Sequence, residues 1–385
     1  MSLSIRQKNY SKIKKLFKIK DNYCSTYMDT KFLKKLDDYD IEKLGEGARG
    51  KIYKLIDIKN NISLSTKIML VDDRNTKYIM DLKSPRWREV KLLLDFTNDV
   101  KGNKIRNLPL MYGYQVCKIR NFNAIIIYYE YFEDILKNWL NEKHTDDEWI
   151  SLVLQILITI KFLREKYKVT HNDLTWVNIM YNKIDKTGDW KYITNDYELY
   201  IPNMGYEFIF WDFGSSKSYN FPLRNKEIHS LNDTFKGKRD QKYILDITKR
   251  IKMNHIINRY SIKELISIMK ENNYEEYLNS TTKEIENKFK KYSDKSRLNY
   301  VISKSLAFFL VENDKYDELI KNRAKKIYDL EDDLTLPSKF IQDKLEKIVN
   351  VDFESNIDKI LKEHFKEYLN KGTKFSESYN LSTSN

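Results

Sequence analysis

His171-Asn172-Asp173-Leu174-Thr175-Trp176-Val177-Asn178, followed further along by Asp212-Phe213-Gly214, is the part of this chain from which the rest can be read. The first stretch carries a carboxylate at Asp173 and a carboxamide at Asn178. The second carries another carboxylate and then a glycine, which permits a tight turn. Short apolar strands adjoin both, at Ile179-Met180 and at Phe208-Ile209-Phe210-Trp211.

Upstream of this pair the pattern is strand-rich. Ile41–Leu44 and Ile52, Tyr53, Leu55 and Ile56 flank a glycine-rich turn, and Ser63–Val71 resumes after the turn signal Asn60-Asn61. Residues 86–96 read as a helix with Val90, Leu93 and Leu94 on one face and Pro85 in its first turn. Residues 124–132 read as an apolar, aromatic strand. Asp146–Glu165 reads as a helix capped by Thr145 or Asp146. An aromatic insertion, 182–207, contains the turn Lys186-Thr187-Gly188-Asp189. From Asp240 the pattern is helical almost to the end, with a break at Pro337, and 373–385, rich in Ser, Thr and Asn, reads as a frayed tail. No internal repeat is visible. The fold class is therefore α+β, with the motifs at the join between a strand-rich and a helical part.

A chain of 385 residues suggests one two-lobed unit or two domains. Hydrophobic residues at 41% suffice for a core, which excludes a wholly disordered chain, and charged residues at 32% keep it soluble. The net charge of +13 favours anions in general, but the lysines are spread along the chain and mixed with acids. The densest basic stretch is Arg6–Lys20, so nucleic acid or an acidic partner is expected there if anywhere. Cys24 and Cys117 form no CxxC pair, which argues against a zinc site or a disulfide framework and reads as intracellular. Met1-Ser2-Leu3-Ser4-Ile5-Arg6 has no signal-peptide core. Leu152–Leu163 is too short to span a bilayer and contains Gln155 and Lys161, so no membrane insertion is expected.

Gly45-Glu46-Gly47-Ala48-Arg49-Gly50-Lys51-Ile52 fits G-x-G-x-x-G-x-V with Ile52 in the last place. Glycines let a hairpin backbone approach phosphate oxygens, although a plain strand turn explains these residues equally well when they are taken alone. A strand rather than a helix follows Gly50, which disfavours a dinucleotide fold. Lys67 lies on the next strand, on the face opposite Thr66, Ile68 and Leu70, where it can meet α- and β-phosphates. Glu89, on the following helix, is the candidate to hold Lys67 in place. Asp173 would accept or orient the proton of an attacking hydroxyl, and Asn178 and Asp212 would ligate magnesium through oxygen. His171 reads as structural, Phe213 as a packing residue and Gly214 as the turn. This set suits phosphoryl transfer from ATP.

From about Leu44 to Asp246 these residues resemble the eukaryotic-type protein kinases. Residues 1–38 read as a basic extension, helical in parts, and after it the resemblance implies a bilobal fold: a small lobe of antiparallel sheet plus one helix with its hinge over 39–132, and a large, mainly helical lobe over 133–272. Residues 273–372 would complete that lobe or extend it. It further implies Tyr129 as gatekeeper, adenine bonded to the backbone at Glu130 and Phe132, phosphates covered by Gly45, Gly47, Gly50 and Ile52, and ATP with Mg²⁺ or Mn²⁺ as cofactors. Asp246, with Asp240 as competitor, would brace the catalytic loop. The insertion ending Ile201-Pro202-Asn203-Met204-Gly205-Tyr206-Glu207-Phe208 resembles serine/threonine kinases of large nucleocytoplasmic DNA viruses, with haspin-like kinases as the nearest cellular analogy. That implies a protein substrate and a place in host cytoplasm or virion. Asn172 stands where the family has Arg, implying activity independent of activation-loop phosphorylation. Thr175 stands where it has Lys, and no A-P-E follows Asp212. A small-molecule kinase of the choline or aminoglycoside type and a pseudokinase scaffold are the alternatives. The first conflicts with the full glycine loop and Phe213, the second with retention of Lys67, Asp173, Asn178 and Asp212.

Overall fold

The computed structural model describes residues 3–17, 19, 39–47, 50–71, 80–119, 122–140, 142–174, 177–218, 338, 340–341, 344 and 357–381. The chain divides into two compact units. One comprises Met1–Lys137, Asp146–Ile244 and Lys347–Asn385; the other comprises Asn138–Thr145 and Leu245–Glu346. In the described part of the second unit, the His144 ring stacks on Trp139 at 3.5 Å between centroids. Asp240, Asp246 and the helical run expected up to Pro337 lie outside the described residues.

The first unit is α+β. Helix α1 (Leu3–Leu16) is followed by β1 (Tyr39–Gly47), β2 (Gly50–Asp57), β3 (Ile62–Val71), α2 (Pro85–Lys101), β4 (Met111–Ile119) and β5 (Phe122–Glu130). The five strands make an antiparallel sheet in the order β1-β2-β3-β5-β4. β5 is buried along Ala124–Glu130, as its unbroken apolar run demands of a strand covered on both faces. Ile13 of α1 packs with Leu64, Tyr112, Ile126 and Tyr128 on one face. On the other face Trp87 of α2 meets Tyr114 edge-on at 5.7 Å. Pro85 opens α2, and its buried residues Trp87, Val90, Leu93, Phe96 and Val100 recur at helical spacing.

The chain continues through β6 (Asp134–Ile135), the single turn α3 (Leu136–Trp139), α4 (Asp146–Tyr167) and β7 (Val169–Thr170). Asp146, Asp147 and Glu148 begin α4 and Arg164 and Lys166 end it, which suits the helix dipole. The two polar residues in its apolar stretch are both satisfied. Gln155 accepts from the Asn107 amide and from Phe208 N, and donates to Tyr206 O. Lys161 pairs with Asp358 at 2.8 Å. Among the described residues no helix is long and apolar enough to cross a membrane.

The insertion 182–207 is built of strands. β8 (Ile179–Lys183) pairs antiparallel with β11 (Tyr206–Phe210), and between them β9 (Asp189–Ile193) pairs antiparallel with β10 (Glu198–Ile201). A 3₁₀ turn, Phe213–Ser215, precedes β12 (Lys217–Ser218), and the described chain closes with α5 (Ile357–His364) and β13 (Phe375–Asn380).

The helical reading of parts of the basic extension holds for α1, which is docked on the sheet and buries Arg6 and Ile13. Two expectations need correction. The frayed tail contains β13, which runs parallel to β9 and buries Tyr379 against Tyr192 with ring centroids 4.8 Å apart. Its polar composition hid one inward residue among outward ones. Cys117 is disulfide-bonded, and the chain's other cysteine lies outside the described residues.

Candidate active site

Lys67 sits midway along β3, opposite Ile52 of β2 and Ile127 of β5. Strand alternation turns Thr66 and Ile68 toward α1 and Lys67 toward α2, and a lysine in so central a place is buried to 3% exposure. An ammonium there is tolerable only when paired. Its Nζ donates to Glu89 Oε1 at 2.6 Å and to Asp212 Oδ1 at 2.8 Å. Burial alone would lower the Lys67 pKa, but the two carboxylates overcome that and raise it above the ordinary lysine value. Burial likewise works to raise the Asp212 pKa, and Lys67 reverses this to a net lowering, helped by the Gly214 N–H. The cluster is held charged on both sides.

Pairing of β8 with β11 places the other groups. Ile179 lies opposite Phe210, so the residue before β8, Asn178, and the residues after β11, Trp211 and Asp212, come together however long the intervening insertion is. Trp211 N donates to Asn178 O at 2.8 Å. Asp212 has φ 55° and ψ 70°, a left-handed conformation that Asp adopts more readily than most residues. Asn172 is left-handed too, with φ 64°, and its Nδ2 donates to Thr170 O and, at 3.4 Å, to Ser215 O. Asn172 thus tacks the segment before Asp173 to the turn after Asp212. The Asn178 amide nitrogen donates to Asp173 O at 2.7 Å and to Asp173 Oδ2 at 3.2 Å. This orients the amide so that its Oδ1 faces away from Asp173.

His171 is buried. Its Nδ1 accepts from Asp173 N at 3.3 Å and its Nε2 lies 2.7 Å from Trp211 O, which selects the tautomer protonated at Nε2. Its ring lies 4.8 Å from Phe213, which packs edge-on to Phe96 of α2 at 4.7 Å. Phe213 thereby ties the turn after Asp212 to the helix that carries Glu89.

A cleft of about 530 Å³ opens beside these groups. Its lining includes Leu44, Gly45 and Ile52 of β1 and β2, Val177, Met180 and Trp211 in and beside β8 and β11, and Tyr129, Tyr131 and Phe132 at the end of β5 and just after it. Asn178 and Asp212 are on the lining as well, with Glu46, Glu133 and Asp134. The apolar and aromatic side chains suit a planar ring, and the carboxylate and amide oxygens suit a cation-bearing polar group. Asp212 accepts both of its bonds on Oδ1, so Oδ2 has no partner among the described residues, and Asn178 Oδ1 is likewise open. Two such oxygens fit a hard divalent cation that takes its remaining ligands from phosphate and water. No group of three or more His, Cys, Asp or Glu suited to holding a metal by itself occurs among the described residues.

The predicted site residues therefore divide. Gly45, Ile52, Phe132, Asn178 and Asp212 line the cleft, Lys67 and Glu89 stand behind Asp212, and Asp173 adjoins Asn178. Gly47 and Gly50 face each other at the β1–β2 turn. A Cβ on Gly50 would lie 2.5 Å from Ile68 O, so this glycine is required by the neighbouring strand, whereas nothing lies within 4 Å of a Cβ on Gly45. Glu130 needs a qualification. Its N–H is engaged by Leu110 O at 3.1 Å and its carboxylate turns away to Arg6, leaving only its carbonyl for a ligand. Sequence reasoning missed Trp211, Tyr131 and Val177 as lining residues. The position of Trp211 directly before Asp212 was the signal available. Thr175 lies outside the described residues. The chain matches no protein-family model and no curated protein.

Proposed function

We propose that the chain is an ATP- and magnesium-dependent phosphotransferase of bilobal protein-kinase-like fold, transferring the γ-phosphoryl group to a serine or threonine hydroxyl of a protein. The observation that carries this reading is the buried Lys67, paired at once with Glu89 and with Asp212, which lines a largely apolar cleft. Phosphoryl transfer needs little covalent help from a protein and much positioning and charge neutralisation.

Each residue then has a task. Adenine lies among Leu44, Ile52, Val177 and Met180, against Tyr131 and Phe132. Lys67 binds α- and β-phosphate oxygens, held in place by Glu89. Asn178 Oδ1 and Asp212 Oδ2 would hold Mg²⁺, which supplies neutralisation of phosphate charge. Asp173 orients the attacking hydroxyl and receives its proton. The hydroxyl oxygen bonds to the γ-phosphorus as the bond from that phosphorus to the ADP oxygen breaks.

The test is transfer of radiolabelled γ-phosphate from Mg-ATP to a panel of basic and acidic proteins, with Asp173→Asn and Asp212→Ala beside wild type. The expected result is label on serine or threonine, reduced by about 10²-fold or more in both variants. ATP binding by wild type without labelling of any protein would overturn the protein-kinase reading and lead to a metabolite panel.

A further inference from the structure

Arg6, in the first turns of α1, is 3% exposed, although it begins the most basic stretch of the chain. A guanidinium has five N–H donors, and all five are used. Nε donates to Glu130 Oε1 at 2.8 Å. Nη1 donates to Arg106 O at 2.6 Å and to Glu207 Oε1 at 3.0 Å. Nη2 donates to Leu108 O at 2.8 Å and to Glu130 Oε2 at 2.6 Å. The pair with Glu130 is a two-pronged fork that only Arg can make. Arg106 joins the network through Glu207 at 2.9 Å and Glu377 of β13 at 2.7 Å. Glu130 is the last residue of β5 and stands between Tyr129 and Tyr131, both of which line the cleft. The same helix reaches α2, since the Gln7 amide donates to Val100 O at 3.0 Å and Lys101 O at 3.2 Å.

We propose that α1 is a brace for the nucleotide cleft, with Arg6 a positioning residue that fixes Glu130 and through it the backbone of 130–132. This rests on the phosphotransferase reading for its consequence, though not for its mechanics. Apart from Arg6 the Glu130 carboxylate has the Leu110 N–H, accepted by Oε2 at 2.8 Å, and that single donor leaves a buried carboxylate short of partners, so without Arg6 it would seek water and draw the rim out with it. With Arg6 in place the carboxylate is anchored to the carbonyl-lined floor formed by residues 106–108, and the rim that receives adenine is set before nucleotide arrives. Such preorganisation governs binding more than the transfer step.

The test uses the full chain with Arg6→Ala, Arg6→Lys and, as control, Lys12→Ala on the exposed side of the same helix. Arg6→Lys keeps the charge and cannot fill five acceptors, so it serves if Arg6→Ala fails to fold. Hydrogen exchange is read at the amides of 130–133 and, for reference, at 152–163 of α4. Mg-ATP affinity and the split of KM from kcat are read alongside. The expected result is faster exchange confined to 130–133 and a KM for ATP raised roughly 10- to 100-fold with kcat changed far less, the Lys variant falling between Ala and wild type. Lys12→Ala should match wild type. Unchanged exchange and affinity in a folded Arg6→Lys protein would overturn the proposal. So would loss of protection everywhere, which would make Arg6 a holder of the fold and nothing more. If wild type bound no Mg-ATP, the phosphotransferase reading would fall, while exchange at 130–133 would still decide for or against the brace.

Discussion

Lys67 shows how a single side chain can be made costly to the fold and useful to the site at once. Among the described residues its burial is offset by Glu89 and Asp212. The lowered Asp212 pKa means that its contribution to stability is complete above the ordinary carboxylate value and is lost as pH falls through the lower folded value. The raised Lys67 pKa means that its contribution is complete below the ordinary lysine value and is lost as pH rises through the higher folded value. Thermal melts of wild type against Asp212→Asn should therefore differ by a constant amount from about pH 5 to about pH 9 and converge below about pH 4. The glycines make a second contrast. Gly50→Ala drives a Cβ against the Ile68 carbonyl and should cost about 1–3 kcal/mol in denaturant unfolding. Gly45→Ala meets open space and should cost less than about 0.5 kcal/mol, while weakening Mg-ATP binding if the phosphates lie there.

Among the elements, the pairing of β8 with β11 is what makes the site independent of the insertion. The ends of these strands carry Asn178 and Asp212, and the loop and hairpin between them can vary without moving either. β13 has the opposite character, since it brings the far end of the described chain back to β9. Tyr379 is buried there against Tyr192 and beside Arg106, and Glu377 supplies a carboxylate to Arg106. Tyr379→Ala should destabilise by about 3–5 kcal/mol, as other buried aromatic truncations do, and removal of residues from 373 onward should cost at least as much. Equilibrium urea unfolding of both variants measures this. A truly frayed tail would show no change.

For the molecule as a unit, the consequence of the proposed function is linkage between ligand and fold. Mg-ATP at 100 times its Kd should raise the unfolding free energy of wild type by about 2.7 kcal/mol, and Asp212→Ala should lose most of that increment. Calorimetric melts with and without nucleotide make the comparison. Asn172 bears on the same level. It holds the turn after Asp212 through backbone carbonyls and needs no phosphate to do so. Phosphatase treatment of the active protein should therefore leave turnover unchanged, and abolition of turnover would count against this assembly.

Local pattern was enough for much of the candidate site. Periodicity assigns Lys67 to the face opposite Thr66 and Ile68, because a strand alternates whatever surrounds it. It assigns Glu89 to the helix after β3, and chain order brings Asp173, Asn178 and Asp212 into one region. Each of these depends on neighbours in sequence or on a repeating backbone. What no local pattern contains is the partner of a long-range contact. Arg6 reads as one more basic residue in a basic stretch until the fold brings Glu130 and Glu207 to it. Tyr379 reads as part of a polar tail until β9 offers its edge. Gln155 and Lys161 read as flaws in an apolar helix until Asn107 and Asp358 answer them. Buried polar groups must be satisfied, and where the satisfying atom lies far along the chain only the folded chain names it.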